Sequence, residues 1–350
     1  MDLGILFIAD TTVHQQATLA QQAESSGFAS LYMAEAYRSC WVPLTAMAAA
    51  TSTIRLGPYI LNAYGHSPLM TGMAAVDFNE FSGGRLLLGI GAGNRQINEQ
   101  WHGVPHERAL TKMREYVTLL KLIARTRRGE TLKYAGKIHH MDWTPTADPG
   151  DQPFPVYLAA VFPRMTRVAA QVADGIAGGG TLSAEYLRDV VKPQAATAAA
   201  DVDRDPATIG WKAVSLIAVN DDRERARRTA REAICHLYAP LPHPYYEYTM
   251  REQGFGEAAD ALLKLMPAGK LEAAVDAIPD ECVDRLTIAG TLEDCRERIV
   301  SYEGVVDELI LANVAPAADG DMMRVYAPLM QLAGAASLAS APRPGNGTSP

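Results

Sequence analysis

The apolar positions of this chain fall into two rhythms that take turns. Leu3 to Ile8 is an unbroken apolar run, whereas Ala17, Leu19, Ala20 and Ala23 recur at helical spacing and stop at Gly27. The run predicts a strand covered on both faces, and the periodic stretch predicts a helix that Thr12 can cap and Gly27 can end. The couple then repeats. Ser30 to Ala34, Ile54 to Leu61 and Arg85 to Ile90 predict strands; Pro43 to Ser52, Pro68 to Phe81 and Arg108 to Arg125 predict the helices after them. The last helix carries Met113, Val117, Leu120 and Ile123 on one side.

Thr131 to Met141 alternates with period two around Ala135-Gly136, as an inserted hairpin would. The strand and helix couple resumes with strands at Pro153 to Ala160, Gly175 to Gly178 and Ile209 to Val219. Helices follow them at Arg164 to Ala173, at Ser183 to Ala200, and from the capping pair Asp221-Asp222 to Leu237. From Ala239 to Pro279 the rhythm breaks into a Pro- and Tyr-rich segment and two helices, Tyr245 to Leu265 and Leu271 to Ala277. A capped helix from Thr291 to Tyr302, a strand from Val305 to Leu311 and a closing helix from Met322 to Leu332 finish the pattern.

Eight strand and helix units without a composition break fit a single (β/α)8 TIM barrel, class α/β, better than two domains. Residues 1–334 form that domain, with insertions at about 129–152 and 239–280, and 335–350, rich in Ala, Ser, Gly and Pro, read as a disordered tail. Composition narrows the partners. With 48 % apolar residues and no apolar run of membrane-spanning length, the chain has the makings of a large buried core and of no transmembrane helix. A net charge of -8 with both signs interspersed offers no basic stripe to a nucleic acid. The N-terminus enters its first strand without a basic segment or cleavage site, so the cytoplasm is the expected compartment. Four cysteines, at 40, 235, 282 and 295, show neither metal spacing nor a disulfide framework, and no metal site is expected.

In a barrel of this kind the chemistry sits where strands end. Phe81 to Asn94 is a helix stop, an apolar strand and a turn, Gly91-Ala92-Gly93, with no side chain to block a flat ring; a tight turn with nothing bound reads equally simply. A dinucleotide turn would need Gly or Ala where Asn94 stands. Ala159 to Met165 passes from a strand end into a proline-started helix, where free N–H groups and Arg164 can hold a phosphate, or where a plain helix begins. Gly178-Gly179-Gly180-Thr181 at the next strand end adds to the phosphate reading. Tyr64 and His66 can hydrogen-bond a substrate or relay a proton, or belong to a capped loop before Pro68. Glu35 and Tyr37, two apart, would point the same way from an extended segment, unless Glu35 is a solvated loop acid.

Together, Ala23-Glu24-Ser25-Ser26-Gly27-Phe28, Leu56-Gly57-Pro58 with Asn62, Tyr64 and Pro68, and Ser82-Gly83-Gly84-Arg85 running into Gly89-Ile90-Gly91-Ala92-Gly93 make a recognisable set. With Val156 to Ala160, Pro163-Arg164-Met165, Ala173-Asp174-Gly175 and Gly290 to Asp294, the chain resembles the luciferase-like barrel superfamily over residues 2 to 330. Within it, the chain is most similar to the deazaflavin-dependent branch of methylenetetrahydromethanopterin reductase type. The resemblance implies a non-prolyl cis bond at Tyr59-Ile60, with a deazaflavin (coenzyme F420) or, alternatively, FMN ring over that bulge. It also implies phosphate at Ala160, Val161, Phe162 and Arg164 near Gly179 and Gly180, Glu35 at the ring edge, and Asn94 and Asn98 near ring and substrate. Leu6, Asn94 and Ala36 replace the family's usual proton-handling residues, so a different donor is needed: Glu35, Tyr64, His66 and Tyr37, in that order. The Tyr238 to Tyr248 segment with His243 would roof a pocket unlike the pterin site, or simply pack. The implied function is F420-dependent hydride transfer to or from a small organic molecule at a C=N or C=C bond. An FMN-dependent monooxygenase and a catalytically silent cofactor-binding protein are the alternatives. The small-residue helix Pro43 to Thr53 suits a homodimer.

Overall fold

The computed structural model describes residues 1–8, 11–238, 244–316 and 321–333. Ala9-Asp10 at the first strand end, His243 and the 335–350 tail lie outside the described residues. In order, β1 (Asp2–Phe7), α1 (Val13–Ser26), β2 (Ser30–Met33), α2 (Trp41–Ala50) and β3 (Arg55–Pro58) lead to a two-residue β4 (Leu61–Asn62), α3 (Pro68–Phe81) and β5 (Leu88–Gly91). A π-helical turn (Ile97–Trp101) precedes α4 (Ala109–Ile123), the hairpin β6 (Leu132–Ala135) and β7 (His140–Trp143), then β8 (Val156–Ala159), α5 (Pro163–Val172) and β9 (Gly175–Gly178). The short α6 (Ala184–Tyr186) continues through a second π-helical turn (Leu187–Val191) into α7 (Lys192–Ala200), followed by β10 (Gly210–Val219) and α8 (Arg223–His236). Four helices, α9 (Pro244–Glu252), α10 (Gly256–Leu265), α11 (Leu271–Asp276) and α12 (Asp280–Leu286), lead to β11 (Thr287–Gly290), α13 (Leu292–Val300), β12 (Glu308–Asn313) and α14 (Met322–Met330).

The main sheet is parallel throughout, in the order β3-β2-β1-β12-β10-β9-β8-β5-β4. Its two edges meet. The Leu56 N–H donates to Arg85 O and the Leu87 N–H to Leu56 O, both at 2.9 Å, so the strand that becomes β5 first pairs with β3 and then with β4. The result is an eight-stave (β/α)8 barrel whose third stave is β3 and β4 together. The expected strand Ile54 to Leu61 is therefore split: β3 is bonded to β2, β4 to β5, and the join is a cis Tyr59-Ile60 peptide, as the resemblance implied. The stretch after the second insertion holds more than expected: beyond α12 the chain forms β11, which runs parallel beside the upper half of β10. Four residues reading Thr-Ile-Ala-Gly at the end of a helix are too short to announce a strand by period alone.

Residues of alternate parity line the two faces of each stave. Leu3, Ile5, Phe7, Leu31, Met33, Leu88 and Ile90 face the outer helices in one core, while Leu6, Tyr32, Tyr59, Leu87, Val214, Leu216 and Ile310 belong to a second core that continues under α8 to α12. Along the inner parity the side chains shrink towards the strand ends: Tyr32 is followed by Ala34, Leu87 by Gly89 and Gly91, Tyr157 by Ala159 and Ile310 by Ala312.

At the other end the interior is polar. Lys212 and Glu308, both almost fully buried, form an ion pair that the Ser30 hydroxyl joins and to which Tyr32 donates at 3.0 Å. The Lys212 ammonium lies 4.5 Å from the Tyr157 ring centre, and burial lowers its pKa. A methyl at Gly4 would stand 2.5 Å from Ser30 Oγ and 2.8 Å from Glu308 Oε1, so glycine there is what makes room for the pair.

Two of the motifs that carried the resemblance pin this end of the barrel. The Glu24 carboxylate accepts the N–H groups of Ser52, Thr53 and Ile54 at 2.6–2.9 Å. Burial alone would raise its pKa, but those backbone bonds outweigh burial and hold it at about 2. Arg85 donates to the carbonyls of Ser82, Ala48, Thr51 and Ile54, tying α3 and the C-terminal end of α2 to the strands. Removing one member of the Lys212–Glu308 pair leaves a buried charge alone. Lys212→Met should therefore cost about 3–5 kcal/mol in urea unfolding, and Lys212→Met with Glu308→Leu should recover most of it; a single variant as stable as the parent would contradict this account.

Candidate active site

The strand ends converge on a mouth floored by small residues. A methyl at Gly91 would stand 2.7 Å from Ile60 Cδ1 and 3.0 Å from Ala159 Cβ, so Ile60, Gly91 and Ala159 already touch across the third, fourth and fifth staves. Tyr59, on the other side of the cis bond, is buried beneath; its hydroxyl donates to Gly178 O at 2.7 Å and its ring meets Tyr32 edge-on at 5.3 Å.

Beside this floor lies a half-buried ion pair. Glu35, just past β2, accepts the Asn62 N–H at 3.0 Å, and both of its oxygens face His66 Nε2 at 3.0–3.1 Å. The Cys40 thiol also reaches it, at 3.7 Å. Burial pushes the Glu35 pKa up, but the bonds from His66 and from the Asn62 backbone overcome burial and leave it below the ordinary carboxylate value. The Glu35 hydrogen bond in turn raises His66 against the opposing effect of its own burial.

Tyr37 departs from the expectation. Residues 36–38 form a bend, so Tyr37 does not share a face with Glu35: it is 67 % exposed and its ring pairs with Trp101 at 5.4 Å. Tyr64 is buried, donates its hydroxyl to Glu107 O at 2.6 Å, stacks on His106 at 4.7 Å and lies under the Lys112 ammonium. Burial pushes its pKa up to about 12. The Asn62 side chain joins Tyr64 to Asn98: its Oδ1 accepts the Tyr64 N–H at 3.1 Å and its Nδ2 donates to Asn98 Oδ1 at 2.7 Å. Asn98, fully buried in the π-helical turn, donates to Ala92 O and pairs with His106 Nδ1, both at 2.8 Å. Asn94 is buried and accepts the Gln96 N–H at 2.7 Å. His106 and Trp101 escaped notice in the sequence, because Trp101 ends a π-helical turn and His106 lies in the irregular segment after it, where no period marks which residues find partners.

The expected phosphate corner is a helix start. Phe162 is the N-cap of α5 with extended backbone, Pro163 follows, and helix geometry leaves the Arg164 N–H without an intrahelical partner. Ala160 is buried beside β9, Arg164 is exposed, and a methyl at Gly179 would stand 3.3 Å from Val161 Cγ2, so the two strand ends run side by side. Gly180 has open space around it, with Leu216 Cδ2 3.9 Å from a methyl built there. The second insertion reaches this corner: Phe162, 39 % exposed, meets the Tyr248 ring at 4.9 Å. Thr181, held at φ +70°, shares a 3.0 Å hydroxyl bond with Thr249 and accepts from Gln253 at 2.8 Å.

A closed parallel barrel with a broken third stave under a floor of small residues defines the luciferase-like barrel class. A family model for luciferase-like monooxygenases matches residues 1–308; the chain belongs to that family, and it is an oxidoreductase. The 5,10-methylenetetrahydromethanopterin reductase of Archaeoglobus fulgidus is 30 % identical over 324 residues, 90 % of this chain and 95 % of that one. Among solved structures, the coenzyme F420 dependent tetrahydromethanopterin reductase of Methanopyrus kandleri superposes with a TM-score of 0.76 at 21 % identity, over 95 % of this chain and 97 % of that one. The oxygenating constituent of 3,6-diketocamphane monooxygenase from Pseudomonas putida, solved with FMN, gives 0.66 at 18 % identity over 96 % of both.

The Glu35–His66 pair makes a signed prediction. Its contribution to stability is fully present between pH 4.5 and 6.5, the ordinary values of the two groups. It fades as pH falls through the lowered Glu35 pKa and as pH rises through the raised His66 pKa. In an NMR titration His66 should lose its proton above pH 6.5, and His106, whose pKa is lowered by burial and by Arg95, below it; the reverse order would refute the assignment.

Proposed function

We propose that this chain is a coenzyme F420-dependent oxidoreductase that exchanges hydride between a deazaflavin and a small organic substrate at a C=N or conjugated C=C bond. The observation that carries the reading is the floor of the mouth. A planar tricyclic ring needs an apolar surface to rest on, and the Ile60 side chain packed beside Gly91 and Ala159 next to the Tyr59-Ile60 join offers one. The ring's phosphate needs N–H groups and positive potential, which the start of α5 with Arg164 and the neighbouring Gly179-Gly180 turn can offer. When bound, a deazaflavin supplies or accepts hydride at its central ring.

The chain's own residues then hold and orient. Ile60 supports one face, Asn62 and Asn98 present amides already locked by their mutual bond, and Glu35 and His66 stand at the edge of the floor. The likeness to a reductase across nearly its whole length supports this reading over oxygen chemistry.

An FMN-dependent monooxygenase is the second reading, favoured by the FMN-bound relative; a cofactor-binding protein without turnover is the third. We also place a homodimer on the helices around Val42 and Met70, apolar and exposed on α2 and α3; a monomer in sedimentation would reject it.

Anaerobic titration with reduced F420 and with reduced FMN separates the readings. Quenching by F420 with oxygen-independent turnover on a panel of imines and enones is the expected result. FMN affinity with oxygen-dependent product and no F420 binding would reject it, and binding of either without turnover would favour the third reading. In Gly91→Val the new methyls displace Ile60, so F420 affinity should fall by about tenfold or more, equivalent to ~1.4 kcal/mol, while far-UV circular dichroism stays that of the parent.

A further inference from the structure

The groups able to move a proton at the mouth can be sorted by what already holds them. The Tyr64 hydroxyl is spent on Glu107 O and the Tyr59 hydroxyl on Gly178 O, and burial pushes both phenols up. Cys40 is fully buried, its thiol pushed up by burial and by Glu35. Tyr37 stands out on the rim with Trp101. Glu35 and His66 differ from all of these: their side chains are 14 % and 34 % exposed, and they hold each other.

We propose that His66, oriented by Glu35, is the residue that hands a proton to the substrate at the barrel mouth, through Nδ1. The geometry assigns the nitrogen. Nε2 is engaged by both oxygens of Glu35, which is itself held by the Asn62 N–H and Cys40, so Nδ1 is the ring nitrogen outside the pair. Such a carboxylate fixes the ring and stabilises its charged form, as an orienting acid does for a histidine base elsewhere. Around the pair, the Tyr116 hydroxyl donates to His66 O at 3.3 Å, the Cys40 thiol lies against Glu35, and the His102 ring lies beside Gly65. Burial pushes Cys40 and Tyr116 up, so both stay protonated, and Glu35 is the charge that bears on the ring.

The assignment rests on the deazaflavin reading and deepens it. In the reducing direction, a deazaflavin held on the floor would supply hydride to the carbon of a C=N or conjugated C=C bond, whose π electrons pass to the other atom. The Nδ1–H bond breaks, its electrons stay on the imidazole, and its proton goes to the nitrogen or carbon that has gained the π electrons. The neutral ring stays bonded to Glu35 and recovers a proton from solvent at its exposed edge. Oxidation runs the same steps backward. A substrate of this class must offer the proton-accepting atom towards His66 while its reacting carbon faces the floor.

The test uses the whole chain with carbon-13-labelled histidine, F420 as ligand and 2-cyclohexenone as the probe acceptor. F420 binding, read by fluorescence quenching, should shift the His66 signal and leave His139 and His140 of the hairpin unmoved. Glu35→Gln should bring the His66 titration down towards 6.5, its ordinary value. His66→Gln should keep F420 affinity but slow oxidation of reduced F420 by the enone about 10²- to 10⁴-fold. Bound F420 with an unmoved His66 signal, or an unchanged rate in His66→Gln, would overturn the assignment and leave the deazaflavin reading standing. Failure of the parent protein to bind F420 at all would remove both.

Discussion

The rest of the structure depends on how the third stave hands its hydrogen bonds from one neighbour to the next. β3 gives its ladder to β2 and closes the ring through Leu56 and the Arg85 to Leu87 segment; after Tyr59 and Ile60 the chain re-enters the sheet as β4 and pairs with β5 instead. That exchange brings Ile60 against Gly91 and Ala159, and it leaves Asn62 with a backbone N–H that no strand takes and that Glu35 accepts. Floor and ion pair are thus two consequences of one interruption in a ladder.

The barrel keeps its charges at opposite ends for different ends. At the strand starts, Lys212 and Glu308 are almost fully buried and satisfied by one another, Ser30 and Tyr32, an arrangement that specifies one packing of the interior and exchanges little with solvent. At the strand ends, Glu35 and His66 are only partly covered, so their bond answers to pH and fades as His66 loses its proton above its ordinary 6.5. Between the two, Tyr32 and Tyr59 fill the waist and connect the buried pair to the residue beneath the floor. The barrel thus has a buried, mutually satisfied pair at one end and a partly covered, titratable pair at the other.

The second insertion packs against this end of the barrel. Its apolar side shares one core with the barrel interior, and Thr249 and Gln253 hold Thr181 at a positive φ that a β-branched residue rarely adopts. Tyr248 meets Phe162 at the helix start where a phosphate is expected. A segment so placed can shape what approaches the open face without contributing a stave.

Much of the fold was legible in the chain. Unbroken apolar runs against helical periods located the staves, Thr12, Asp222 and Thr291 announced their helices, and Gly27 and Gly83-Gly84 ended others by adopting positive φ, all because these signals act within a few residues. Glu24 and Arg85 were visible as parts of motifs, though their duty as staples of backbone groups was not. What only the tertiary structure decided were the pairings across the mouth: Glu35 with His66, 31 residues on, and Tyr37 with Trp101. The sequence named Glu35, His66, Tyr64 and Tyr37 as one pool of donors; folding divided them, because a bend at residues 36–38 and a carbonyl at Glu107 decide where each polar group finds its partner. Local periodicity sets which residues form a strand, but which side chains meet at its end depends on barrel closure, and that is a property of staves distant in the chain.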